Sequence, residues 1–250
     1  MVRIIPRLDI KGPNVIKGVQ LEALRIVGDP QTLATKYYEE GADELIYMDI
    51  VASLYERNNI LDIVSRAAQN IFIPLTVGGG MRSVSDIRKA LRAGADKVAI
   101  NTHATRNPEF ITEVAQSFGS QCIVGSIEAK RKSDGGWEAF VDNGRVVTGL
   151  DVGEWASELV RRGAGELLVT SVDQEGTAKG YDIELVKMVA ARVSVPVIAC
   201  GGAGSPADIF SVINGADVGA VSAAHIFHYN KYLIADVKQF LSEKKINVRM

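Results

Sequence analysis

GADELIYMDI, residues 41–50, recurs in altered form as GAGELLVTSV, residues 163–172. IPLTVGGG at 73–80 recurs as VPVIACGG at 195–202. Both shifts are 122 residues, from 41 to 163 and from 73 to 195. An Asp-Ile follows each glycine run, at 86–87 and 208–209, and a Gly-Ala-Asp comes next, at 94–96 and 215–217. A period of half the chain is too long for a solenoid unit and implies two-fold internal symmetry. It also predicts two copies of whatever site the glycine loops build.

Around these repeats, short apolar runs alternate with amphipathic stretches. Strands are expected at 4–10, 44–49, 74–77, 97–100, 122–128, 166–171, 197–200 and 219–223. They are apolar on both sides of the pleat, as in a parallel sheet covered on both faces. Helical patterns fall at 30–41, 60–70, 84–93, 108–118, 152–162, 183–192, 206–214 and 231–244. Asp29-Pro30, Asn107-Pro108 and Ser205-Pro206 each place a capping residue before a first-turn proline. Gly41, Gly94, Gly163 and Gly215 stand where helices should end. Eight strands alternating with eight helices predict an α/β fold, a (β/α)8 barrel. An open doubly wound sheet is the other solution, but four plus four repeated units close naturally into a barrel. No linker separates the halves, so one domain over 1–250 is expected, with half-barrels of about 1–121 and 122–250. KSDGG and DNG within 131–148 are hairpin signals and predict a small β excursion after the fifth strand.

The 250 residues carry 28 Lys and Arg against 30 Asp and Glu, a formal charge of −2. That balance argues against a basic face gripping nucleic acid. No apolar run approaches the roughly 20 residues that span a bilayer. The first residues are charged too soon for a signal peptide, so a cytoplasmic protein without membrane contact is expected. Cys122 and Cys200 lie in apolar stretches and read as buried free thiols. His103, His225 and His228 fit no metal motif, so neither metal nor cofactor is expected, and surface or supporting roles suit them better. Trp137 and Trp155 belong to no pattern.

Barrels of this class carry their chemistry at the C-terminal strand ends. That rule selects Asp9 followed by Lys17, then Asp49, Gly79 and Gly80, Asn101 and Thr102, and Glu128. In the second half it selects Thr170, Glu175 and Gly176, Gly201 and Gly202, and Ser222. Glycines at strand ends let backbone N–H groups approach an anion closely. Two such loops suit a substrate with a phosphate at each end, although each glycine alone could serve only to turn the chain. Asp9 and Glu128 come from opposite strands, and facing carboxyl groups suit general acid–base work. Pairing with nearby lysines, which would only order a loop, is the alternative.

At this point the residues match a family. RII at 3–5, RLDIK at 7–11, VIKG at 15–18, VGGG at 77–80 and GADKVAINT at 94–102 carry the resemblance in the first half. RGAGELL at 162–168, GYD at 180–182, GGAG at 201–204, FH at 227–228 and INVR at 246–249 carry it in the second. Along nearly its whole length the chain resembles the cyclase subunit of imidazole glycerol phosphate synthase. The resemblance implies a half-repeated barrel and a lyase-type cyclisation. Ammonia released by a separate glutaminase subunit would travel through the barrel. It would meet a bisphosphorylated ribulosyl substrate and yield an imidazole product and an aminoimidazole carboxamide ribotide. It further implies that Asp9 is a catalytic acid–base group helped by Lys17. Phosphate contacts would fall at Gly80, Asn101, Thr102, Gly176, Gly202 and the strand-eight end, and a heterodimer with the glutaminase would form.

Several positions depart from the family pattern. Glu128 replaces the second catalytic aspartate, Glu175 replaces an aspartate, Cys200 replaces a serine, and Pro6-Arg7 stands where the family has small residues. One extra methylene moves a carboxyl by about 1 Å, and misplacement of that order can cost roughly a hundredfold in rate. By contrast Arg3, Glu44, Lys97 and Glu166 keep the family's ring of four charges where ammonia enters. An intact inlet with an altered pocket resembles paralogues that relay ammonia from a glutaminase for sugar amidation in surface-polysaccharide pathways. A phosphosugar isomerase on the same barrel is a third possibility, against which the charge ring argues.

Overall fold

The structure, a computed structural model, describes residues 1–52 and 60–250. Among the described residues twelve strands form one sheet, and eight of them, all parallel, close into a barrel. The barrel strands are β1 (Arg3–Lys11), β4 (Leu45–Asp49), β5 (Leu75–Gly78), β6 (Lys97–Ile100), β7 (Ile123–Arg131), β10 (Glu166–Ser171), β11 (Val197–Cys200) and β12 (Ala220–Ala223). Each pairs with the next in that order, and β12 returns to β1 with Ile4 opposite Val221. The described helices on the outside are α1 (Pro30–Glu39), α2 (Ile60–Ala67), α3 (Val84–Arg92), α4 (Thr102–Arg106), α5 (Glu109–Phe118), α6 (Val152–Arg162), α7 (Ile183–Ala190), α8 (Pro206–Ala216), α9 (His225–His228) and α10 (Ile234–Glu243).

Closure explains the two-faced apolar strands. Side chains alternate across the pleat, so each strand feeds two separate cores. Leu8, Tyr47, Val77, Val98, Ile127, Val169 and Val221 point outward and join the helices. Ile5, Ile46, Ala99, Val124, Leu168, Ile198 and Ala220 point inward and form an apolar layer around the axis.

Two antiparallel hairpins rise from the C-terminal rim. β8 (Trp137–Val141) and β9 (Val146–Asp151) extend β7, which is the excursion the sequence predicts. β2 (Asn14–Val19) and β3 (Glu22–Gly28) extend β1 in the same way and were not expected. The first hairpin is hard to read because its turn uses Gln20 and Leu21 at φ 51° and 64°. Neither residue signals a left-handed turn. Leu21 is 2 % exposed, so burial of its side chain offsets the strained backbone. The tips touch: Asn143 Nδ2 donates to Leu21 O at 3.3 Å, and these residues are 122 apart, the repeat shift itself. The pseudo-two-fold axis therefore passes between the two tips.

Asp29 and Ser205 cap α1 and α8 as expected, accepting from the N–H of Thr32 and Asp208. Four local expectations are corrected. Asn107 does not cap α5, because Pro108 already has helical torsions and no side chain bonds the first turn. Gly215 lies inside α8, which ends instead at Asp217 in the left-handed region (φ 47°). Cys122 occupies a short 3-10 turn and is partly exposed, its thiol directed at Phe118 O. His228 is buried, stacked on Tyr37, whose hydroxyl lies 2.6 Å from Nδ1.

The last helix is latched to the first strands. Lys238 Nζ lies 2.7 Å from Asp43 Oδ1, while Asp43 Oδ2 accepts from the backbone of Ile4 at 2.8 Å. Both side chains are buried. Removing one partner strands the other charge, which typically costs about 3 kcal/mol. Lys238→Met is therefore expected to lower unfolding free energy by about 3 kcal/mol in urea titration. Lys238→Met combined with Asp43→Asn is expected to recover part of that loss.

Candidate active site

The C-terminal rim gathers the residues selected from the sequence, but unequally. A cavity of about 170 Å3 lies over the first half-barrel. Asp49, Gly79, Gly80, Asn101, Thr102 and Glu128 line it, together with Ser126, Arg82, His103 and Arg106. Over the second half, Lys17, Glu175, Gly176, Gly201, Gly202 and Ser222 surround a space of only about 10 Å3, room for about one water. Thr170 and Asp9 lie beneath it, bridged by Arg7, which lines that space as well.

The glycine loops need glycine for a reason of space as well as torsion. Gly79 (φ 98°) would place a Cβ 2.2 Å from Asp49 O, and Gly202 (φ 107°) would place one 2.0 Å from Gly180 O. Both cradles are thus pressed against a neighbouring backbone. Asn101 and Thr102 begin α4, where Asn101 Nδ2 donates to Phe140 O at 3.2 Å and ties the first cradle to β8.

Arg7, which the sequence marks only as a departure from the family pattern and not as a candidate site residue, enters the site. It projects from β1 across the barrel, and 2 % of it is exposed. Nε donates to Asp9 Oδ1 at 2.8 Å, and Nη1 donates to Thr170 Oγ1 at 3.1 Å and to Cys200 Sγ at 3.7 Å. The signal was available as an arginine in the interior of the first strand, RIIPRLDI. Asp9 is thus ion-paired, and Lys17 pairs with Glu175, both pairs buried. Pairing of Asp9 with a nearby lysine, the alternative reading of the sequence, does not occur; its partner is this arginine. Ser222 Oγ is buried beside Arg7 without a hydrogen-bond partner.

Glu128 is in a different environment. Its Oε2 accepts from the backbone N–H of Gly144 at 2.8 Å, at the tip of the β8–β9 hairpin. No cation among the described residues forms a salt bridge with it. Burial raises this carboxyl from 4.5 to about 7, against the opposing pull of the Gly144 N–H and of Arg7. Burial also raises Asp49 and the Cys200 thiol, and pushes His228 down to about 4.

At the opposite end of the barrel the four predicted charges form a closed ring. Arg3 binds Glu44 at 2.6 Å and also pairs with Glu166. Lys97 binds Glu44 at 3.0 Å and Glu166 at 2.8 Å. Above the ring come the apolar layer, then Arg7, then the cavity.

A family model described as "Histidine biosynthesis protein" matches residues 3–233. The chain belongs to the histidine biosynthesis protein family. A relative named imidazole glycerol phosphate synthase subunit HisF, from Legionella pneumophila, is 64 % identical over 203 residues, covering 81 % of this chain and 96 % of that protein. Another of the same name, from Dehalococcoides mccartyi, is 47 % identical over 248 residues, covering 99 % and 98 %. Membership of the histidine biosynthesis protein family agrees with the closed (β/α)8 barrel and with the resemblance read from the motifs. No described helix is long and apolar enough to cross a membrane, and no described cluster of His, Cys, Asp and Glu could hold a metal ion.

The raised Glu128 carboxyl has a consequence for stability. Between about pH 4.5 and 7 the unfolded chain releases a proton that the folded chain keeps. Stability therefore falls as pH rises through that window and levels off above it, by up to about 3 kcal/mol. Glu128→Gln is expected to flatten this component, so that the variant gains on the parent from pH 5 to pH 8 in denaturant titrations.

Proposed function

We propose that this chain is the cyclase-type synthase subunit, a lyase, of a glutamine-dependent synthase of the imidazole glycerol phosphate type. Ammonia comes from a partner glutaminase subunit seated on the charge-ring face, and the two subunits form a heterodimer. The substrate is a bisphosphorylated ribulosyl compound, and the products are imidazole glycerol phosphate and aminoimidazole carboxamide ribotide. The observation that carries this reading is coaxial order: the Arg3–Glu44–Lys97–Glu166 ring lies directly down the axis from the carboxyl groups at the mouth. An isomerase would need no such inlet, and the relatives' shared name supports the same choice.

The residues divide the work by position. Gly79, Gly80, Asn101 and Thr102 cradle one phosphate, and Gly176, Gly201, Gly202 and Ser222 cradle the other. Asp49, Thr170 and Glu175 flank the substrate between them. Asp9 and Glu128 handle protons, and Lys17 assists Asp9. Glu128 is suited to the task because its ionisation near 7 makes both of its forms available at neutral pH. The second cradle must widen for a phosphate, since it holds about 10 Å3.

Arg7 favours a second reading. A guanidinium bonded to Asp9 and lying across the barrel is a change at the reacting centre, consistent with a subunit that passes ammonia to another enzyme for sugar amidation, with altered or lost cyclase activity. One experiment separates the two. The complex with its glutaminase is given the bisphosphorylated ribulosyl substrate, with either glutamine or ammonium chloride. Cyclisation predicts imidazole product from both sources, with Asp9→Asn and Glu128→Gln each lowering kcat by at least about 100-fold. Lys97→Met is expected to impair the glutamine-driven rate while sparing the ammonium-driven one. Glutamine hydrolysis stimulated by the complex, with no imidazole product, would establish the relay instead.

A further inference from the structure

The glycine loops after β5 and β11 share one backbone plan. The Arg82 N–H donates to Asp86 Oδ2 at 3.3 Å, and Ser83 Oγ donates to the same oxygen at 2.9 Å. In the second half the Gly204 N–H and Ser205 Oγ each donate to Asp208 Oδ2 at 3.0 Å. The repeat shift of 122 thus matches Arg82 with Gly204 in structure as well as in sequence. At Gly204 a Cβ would lie 2.4 Å from Ala178 O, so the second loop has no room for a side chain there. The first loop carries an arginine that the shared plan does not need, and this arginine lines the larger cavity. Arg106, the last residue of α4, lines the same cavity.

We propose that Arg82 and Arg106 are substrate-binding residues: their guanidinium groups close around the phosphate in the first cradle, and this half-site takes a phosphate group before the second does. The inference deepens the proposed function and rests on its reading of this cradle as a phosphate site. A guanidinium offers phosphate a planar fork of N–H donors and a permanent charge. Arg82 is held in place by Nη2 donating to Ala52 O at 2.7 Å. Arg106 is tethered more loosely, reaching Asp142 at 3.4 Å with 68 % of its side chain exposed. An exposed pair of this kind contributes little and is readily exchanged for a phosphate. Both charges act on one space, since burial first, and then Arg82 and Arg106, lower the His103 imidazole in the cavity wall. Asp49 and Glu128 line the same cavity, and burial raises both carboxyls, which eases their repulsion of an anion. Over the second half-barrel the cations are already engaged, Arg7 by Asp9 and Lys17 by Glu175, and both pairs are buried. An anion there must part buried charges, which is costly; over the first half it meets open space and a weak surface pair.

The test is titration of the full chain with inorganic phosphate, followed by calorimetry and by the backbone amide signals in 15N NMR. One equivalent is expected to bind first, shifting the N–H signals of Gly79, Gly80 and Thr102 at concentrations that leave Gly201 and Gly202 unmoved. Arg82→Gln and Arg106→Gln are each expected to weaken this binding at least about tenfold, and Arg82→Lys to retain part of it. Arg88→Gln removes an exposed charge that lies over Phe118 on α3, and is expected to leave the affinity unchanged. Glutamine at position 82 can still donate to Ala52 O; should that variant not fold, Arg106→Gln at its exposed position decides alone. Affinity unchanged in either folded glutamine variant, an equal loss in Arg88→Gln, no phosphate binding, or Gly201 and Gly202 responding as early as Gly79 overturns the proposal. The titration requires no turnover. Absence of cyclisation in a chain that binds phosphate in this way therefore overturns the proposed reaction alone, and failure of the phosphate pattern in a chain that cyclises overturns this inference alone.

Discussion

Eight parallel strands hydrogen-bonded into a ring have no free edge, and every second side chain must share the space around one axis. That constraint orders the rest of the molecule. Small and medium apolar groups fill the middle layer, and the charged groups that border it reach partners on other strands. The charges near the two ends obey this rule. Arg3 and Lys97 each meet both Glu44 and Glu166, while Arg7 reaches from β1 to β10 and β11. The charge ring at one end and the cavity at the other are thus joined by a common interior rather than by a surface groove.

The internal repeat gives the protein two similar half-sites, and the side chains have made them unlike. Over the first half the glycine cradle opens into a cavity; over the second, Arg7 and the Lys17–Glu175 pair occupy the corresponding region. The backbone remains symmetric, with each half carrying a hairpin after its first strand and the two tips meeting at repeat-related residues. Divergence has acted on the side chains between the cradles, where Glu128, Glu175, Cys200 and Arg7 all lie.

Much of this was legible in the chain, and what was not has physical causes. The strands could be read because burial on both faces removes the polar alternation of an open sheet, and the glycine runs marked the ends of β5 and β11. The charge ring could be assigned through the family resemblance, whose four matching positions fall at the starts of barrel strands. The β2–β3 hairpin could not be read, because Gln20 and Leu21 adopt left-handed torsions that only tertiary burial sustains. Arg7 stood out as a departure, yet its placement depends on Thr170 and Cys200, residues 163 and 193 positions away. Motifs report what lies along the strand; they are silent about what a long side chain meets across the axis. For the same reason Trp137 showed no pattern, though its indole N–H bonds Asp182 at 2.9 Å.

The pairing of β1 with β12 also bears on how the molecule comes to be. Ile4 waits for Val221, and the buried Asp43 waits for Lys238, 195 residues later. Contacts of such sequence separation are slow to form because a long loop must close first. As the chain leaves a ribosome, the first strand keeps an unpaired side until almost everything else has been made. The hydrogen bonds that remove the last edge are therefore among the last available to form. An edge left open that long is a site where another chain can pair, so the step that completes the barrel also ends its exposure to misassembly.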